Sequence, residues 1–322
     1  MLTVGEVHTG LLQHATALRP DQCARILNLR EGERVLRSQR PTPYAVSPDL
    51  LTGVDCRLPS DTGKQVRGAG TVVSRAIITG GRILQGSAHT RITTGRENRR
   101  LPWSHYLSQP GHLEAVGKPD WTDIGRGFIT GRAWQNSLNL GAISTRAMDT
   151  VQQASQLDRR PPFRAQRTCL RWVVTAVEGA PTRAEGTFTV QTDTLRTLAL
   201  TVGPGDVPDA IGLCEDLALH DWLLTTLSAL LELTQTSPRP VVDKIARLRP
   251  AIEHLLHLWM PGARVSDGVL PVWEDIEKRP GFTRHTQNSG EPLPLPMRTS
   301  AGLLDTGTSG KMRIQTRPTR LM

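Results

Sequence analysis

Lysine is scarce in this chain. Only Lys64, Lys118, Lys244, Lys278 and Lys311 occur, so arginine supplies nearly all of the 39 Lys+Arg residues behind the formal net charge of +9. A cationic surface that tracks phosphates is rewarded by counterion release. Two clusters fit that idea: Arg91, Arg96, Arg99 and Arg100, then Arg159, Arg160, Arg164, Arg167 and Arg171. Aromatic residues make up only 4%, which removes the alternating base-stacking side chains of a single-strand binder. Arginine-rich, lysine-poor charge is also what GC-rich coding produces.

Other absences bound the chemistry. The four cysteines, Cys23, Cys56, Cys169 and Cys214, never form a Cys-x-x-Cys pair, which excludes a zinc ribbon and a disulfide framework and fits free thiols in a reducing cytoplasm. The Leu-rich stretch from Leu213 to Leu233 is broken by Glu215, Asp216, His220 and Asp221, and no basic start with an apolar run stands near Met1. Neither a membrane span nor a signal peptide is expected. Gly63-Lys64 lacks the earlier glycine of a P-loop, since Leu58 stands there, and Gln65 follows where Ser or Thr is needed. Gly68-Ala69-Gly70 precedes a strand, whereas a dinucleotide fingerprint follows one. There is no Gly-x-Ser-x-Gly elbow. No cofactor is expected.

With 322 residues and 38% hydrophobic content, the chain is long enough for one large core or two smaller ones. Residues 1–158 read as a β-rich region with short helices. Its clearest element is an antiparallel hairpin, Thr71–Ile78 with Arg82–Ile92, around Gly80-Gly81, a pair suited to positive φ. Residues 101–131 suggest short helices, and Asn139–Gln156 a longer one with Leu140, Ile143, Ala147, Met148 and Val151 at helical spacing. Residues 159–204 predict a three-stranded meander, 205–284 a helical hairpin plus a short helix packed on that sheet, and 285–322 a disordered tail. The fold class is α+β.

The helical hairpin, 206–264, concentrates the chemistry-bearing residues. If it turns near Pro238, His220 and Asp221 lie level with Leu256 and His257, a spacing that admits a metal site or an Asp-His relay. Helical phase argues otherwise. Leu213, Leu217, His220, Leu224, Leu227 and Leu231 share one stripe, so His220 faces a core. Ile245, Leu248, Ile252, Leu255, Leu256 and Trp259 form the stripe of the second helix, with His254 and His257 pointing away. The first helix is also apolar on its other side, through Leu219, Trp222, Leu223, Leu230 and Leu233, which predicts burial on two faces. Its acidic residues, with no Lys or Arg between Thr201 and Ser237, could dock the upstream arginine clusters or a basic partner.

The segments Cys214–Leu227, Arg247–Pro250, His254–Val265, Tyr44–Pro48, Leu51–Cys56 and Arg100–Leu107 resemble an uncharacterised actinobacterial protein family, over roughly residues 1 to 284. The resemblance implies company rather than chemistry: genes of that family sit near others for a variant P-loop protein and a methyltransferase. The leading expectation is therefore a cytoplasmic interaction or scaffold subunit that docks a protein through the hairpin, with Arg159, Arg160, Arg164, Arg167, Trp222 and Trp259 as candidate contacts. The alternatives are a metal-assisted hydrolase or lyase using His220, Asp221 and His257 or His254, and arginine-mediated nucleic-acid binding.

Overall fold

A computed structural model describes residues 1–39, 42–95, 99–131, 136–179, 185–235, 248–249, 251–258, 265–266, 269–278 and 315–316. The turn expected near Pro238, together with Arg96, Ile245 and Trp259, lies outside them. So does the tail expected from 285, except Gln315 and Thr316.

The strands are β1 (Leu2–Leu11), β2 (Leu36–Ser38), β3 (Tyr44–Val46), β4 (Leu50–Arg57), β5 (Arg67–Thr79), β6 (Ile83–Thr94), β7 (His112–Val116), β8 (Thr168–Ala176), β9 (Glu185–Val190), β10 (Leu195–Val202) and β11 (Gln315–Thr316). They form one hydrogen-bonded sheet in the order β11-β9-β10-β8-β1-β6-β7-β5-β3-β2, with β4 also on β5. Strands from the two expected β regions meet at β1 and β8, which pair antiparallel from Leu2↔Thr175 to Thr9↔Thr168.

The expected β5–β6 hairpin is present, turning through Gly80 and Gly81 at φ 60° and 65°. It does not stay closed. Beyond Val73↔His89 its strands separate, and β7 enters between them, antiparallel to Arg67–Gly70 and parallel to Arg91–Thr94. Gly70 permits this entry, because a Cβ there would stand 2.1 Å from the His112 carbonyl oxygen. The Thr71 hydroxyl anchors the incoming chain, accepting from the Gly111 amide at 2.9 Å.

The expected three-stranded meander is corrected. β8 pairs not with β9 but with β10, in parallel, and β9 lies outside β10. The reason is the burial each strand demands. β10 carries Leu198, Leu200 and Val202 buried beside Trp172 and Val174 of β8, whereas β9 contributes Phe188 to that core from further out.

Both faces of the central strands are covered. On one lie α3 (Trp121–Thr130) and α4 (Leu140–Gln152), whose Ile124, Phe128, Leu140 and Ile143 pack on Leu2, Val4, Ala88 and Ile92. Asp120 caps α3 by accepting from the Thr122 and Asp123 amides, and Asn139 caps α4 by accepting from that of Ala142. On the other face lies α5 (Val207–Gln235), with Leu213, Cys214, Leu217 and Ala218 against Val7, Leu170, Trp172 and Leu198. α1 (Pro20–Leu27) and the short α2 (Trp103–Leu107) sit toward the β3/β5 side. No helix among the described residues is long and apolar enough to cross a membrane.

α5 is buried on a second side too as far as Leu223, whereas Leu231 and Leu233, expected in its two apolar stripes, are 39% and 66% exposed. Leu219, Trp222 and Leu223 contact Leu255 and Leu258, which belong to α6 (residues 251–255) and the 3-10 turn Leu256–Leu258 that follows. The final helix, α7 (Leu270–Lys278), adds Val272 and Trp273 to the sheet-side core.

Candidate functional site

Two carboxylates of α5, Glu215 and Asp221, point into the sheet. Glu215 is 9% exposed and receives a bidentate Arg75 from β5, Nε to Oε1 and the second nitrogen to Oε2, both at 2.8 Å. The Glu215 carboxylate is the main reason the Arg75 guanidinium is held more firmly protonated than usual. Gln85 of β6 donates to the Glu215 carbonyl at 2.8 Å. Six residues on, Asp221 accepts from Arg196 Nε of β10 at 2.8 Å. Arg196 also donates to the Thr225 hydroxyl and the Thr192 carbonyl. The acidic strip therefore does dock arginines, but Arg75 and Arg196 rather than the two clusters. The sheet rows facing α5 place those two beneath it, and side chains from the clusters reach other carboxylates: Arg100 joins Asp55, Arg167 joins Asp149 and Arg171 joins Glu6. Arg159, Arg160 and Arg164 are exposed.

Each of the three residues of the expected metal or relay site has a different partner. His220 is buried, with Nδ1 2.9 Å from its own helix's Asp216 carbonyl and its ring edge-on to Trp273 at 5.2 Å. Asp221 goes to Arg196. His257 and His254 converge instead on Arg82, beside the β5–β6 turn: Arg82 Nε donates to His254 Nδ1 at 3.0 Å and another guanidinium nitrogen lies 2.8 Å from His257 Nε2. The phase expected for the second helix is corrected in part: Leu255 is buried and His257 exposed as expected, but His254 is buried and Ile252 is 44% exposed. Arg82 is the cause, since it gives a buried histidine the polar partner that burial demands. Trp222 is fully buried and donates its indole N–H to the Gln166 carbonyl at 2.8 Å, which removes it from any docking surface.

Burial, then Arg82, then His257 press His254 down to about 4, and burial with Arg75 does the same to His89 of β6. Both are neutral in the fold above that value, whereas an unfolded chain binds their protons from about pH 6.5 downward. Their contribution to stability is thus intact above pH 6.5 and lost as pH falls through 4. Urea midpoints should drop between pH 7.5 and 5, and His254→Gln should show a shallower drop than the native chain. An unchanged slope would contradict the assignment.

The opposite face of the sheet carries a cluster that the sequence reading did not single out. Along β1 the even-numbered residues face α4, and among them Glu6 and His8 interrupt an apolar series. His8 pairs directly with Cys169 of β8, and Glu6 with Arg171. One ligand atom from each of Glu6, His8 and Cys169 lies within 4.8 Å of the others, and the thiol stands 3.9 Å from Glu6 Oε2. Arg171 Nε donates to Glu6 Oε1 at 2.7 Å. His8 Nδ1 is 2.8 Å from the Ser144 hydroxyl of α4. Burial is the main cause of the low proton affinity of His8, and burial also holds the Cys169 thiol protonated. Gly141, at the start of α4, leaves room for the carboxylate, because a Cβ there would lie 2.5 Å from Glu6 Oε2. A cleft of about 250 Å³ opens alongside, lined by Glu6, Arg171, Phe128, Leu138, Asn139 and Gly131 among others. The one signal available in the sequence was two polar residues at i and i+2 on a strand face otherwise made of Leu2, Val4 and Gly10. Their partner, Cys169, is 161 positions beyond His8 along the chain.

All four cysteines are free thiols, with Cys23 and Cys214 buried. No known protein family, curated protein or solved structure matches the chain.

Proposed function

We propose that the protein is an interaction subunit that docks another protein through the distal part of α5 and the facing segment of α6. The observation that carries this reading is the change of environment along α5. From Leu213 to Leu223 every residue is buried, whereas Leu231 and Leu233 near its end are 39% and 66% exposed, and Ile252 of α6 is 44% exposed. Large apolar side chains left open on a helix that is otherwise buried are what a partner would cover. No Lys or Arg occurs on α5, so the helix repels no basic residue at the rim of an apolar partner surface. The resemblance supplies two candidates, a variant P-loop protein and a methyltransferase, in a reducing cytoplasm.

Light scattering after size exclusion, alone and with each candidate, tests this. A complex should form, and Leu231→Asp with Leu233→Asp should weaken it by about 100-fold, from roughly 1–2 kcal/mol per hot-spot leucine, while the thermal midpoint moves little. A monomer that binds neither candidate counts against the reading.

A further inference from the structure

We propose that Glu6, His8 and Cys169 form a binding site for a thiophilic divalent cation of the zinc class. The argument begins with strand geometry. Residues two apart on β1 share a face, and the antiparallel register sets Cys169 directly across from His8, so carboxylate, imidazole and thiol meet without any loop having to order. A tetrahedral ion with bonds of about 2.0–2.3 Å keeps its ligand atoms about 3.3–3.8 Å apart. The present limit of 4.8 Å needs only a small inward rotation of side chains, and the Cys169–Glu6 separation of 3.9 Å is nearly there.

The surrounding groups orient the three donors. The Ser144 hydroxyl donates to the Gly141 carbonyl at 3.0 Å, so at 2.8 Å it receives the proton on His8 Nδ1. That tautomer leaves the lone pair on Nε2, the usual second-sphere device of a metal-bound histidine. Arg171 occupies Glu6 Oε1 and leaves Oε2, the oxygen nearer the thiol, for the ion. On binding, the Cys169 S–H bond breaks, the sulfur–metal bond forms, and the proton leaves to solvent. Sulfur and imidazole together select zinc or cobalt over magnesium or calcium. Three protein ligands leave a fourth position, which water fills from the cleft beside Glu6 and Arg171.

The test uses the full chain, purified without a histidine tag or chelator. Zinc titrated calorimetrically should bind at one equivalent with proton release, and cobalt(II) alone should give a thiolate-to-metal absorption band. Cys169→Ser should abolish the band and weaken zinc by about 100-fold or more, and Ser144→Ala should weaken it by about 10-fold. A readout that needs no variant is the binding enthalpy in buffers of different ionisation enthalpy, which should return net proton release on zinc binding. Absence of stoichiometric zinc binding overturns the proposal. So does a cobalt band that survives in Cys169→Ser, or zinc binding without proton release.

Discussion

Arg75→Met is expected to lower the unfolding free energy by about 3–5 kcal/mol, since it leaves the Glu215 carboxylate buried without its partner. The pair ties β5 to α5 across 140 residues by two hydrogen bonds of 2.8 Å. Arg37 lines the same cleft but is paired with Asp21 at 3.1 Å, His89 is held neutral, and Asp49 carries the same sign as Glu215. Arg75→Met combined with Glu215→Leu removes both charges and should recover most of the loss, because replacing a whole buried pair by apolar groups is often neutral. Denaturant unfolding of the three proteins decides the matter. A single-variant loss below about 1 kcal/mol, or a double variant no better than Arg75→Met, would show that the pair is not what joins helix to sheet.

That pair also marks where the sequence stops being legible. Local signals were readable: Gly80-Gly81 announced the hairpin, Asn139 and the Leu140–Val151 spacing announced α4, and the two-sided apolar pattern of α5 announced its burial on both faces. Pairings chosen over long distances were not. Cys169–Val202 shows β9, EGTFTV, to be the more polar strand, but that β10 therefore takes the place beside β8, in parallel, depends on the core shared with α5. His112–Val116 alternates in burial as a strand should, yet its place depends on β5 and β6 parting at Gly70. Among the polar residues, helical phase placed His220 in a core and His257 outside one but missed the burial of His254, since the attraction of Arg82 for that ring is invisible to any periodicity. The cluster on the other face was half visible, as Glu6 and His8 on one strand, and the missing half was a cross-strand cysteine.

Gly5→Val should be nearly as damaging, by about 3 kcal/mol, through a quite different cause. Gly5 is the cross-strand partner of Trp172, and the indole lies over the glycine: an added Cβ would stand 2.2 Å from Trp172 Cζ2 and 2.4 Å from Cε2. No rotation of a small group relieves that. The indole is fully buried in the core between sheet and α5, with the His89 ring 6.3 Å away, so it must move as a whole into close-packed neighbours. A strand would ordinarily favour valine over glycine, so any destabilisation measures the collision and not the backbone. Trp172→Val alone should cost about 3–5 kcal/mol by emptying the same space. The two changes share one volume, so together they should cost clearly less than their sum, with a favourable coupling of at least about 1 kcal/mol. Urea unfolding with tryptophan fluorescence measures all four corners of that cycle. Strict additivity would mean that Gly5 and Trp172 do not meet, and with that the register of β1 on β8, which also brings His8 to Cys169, would have to be redrawn.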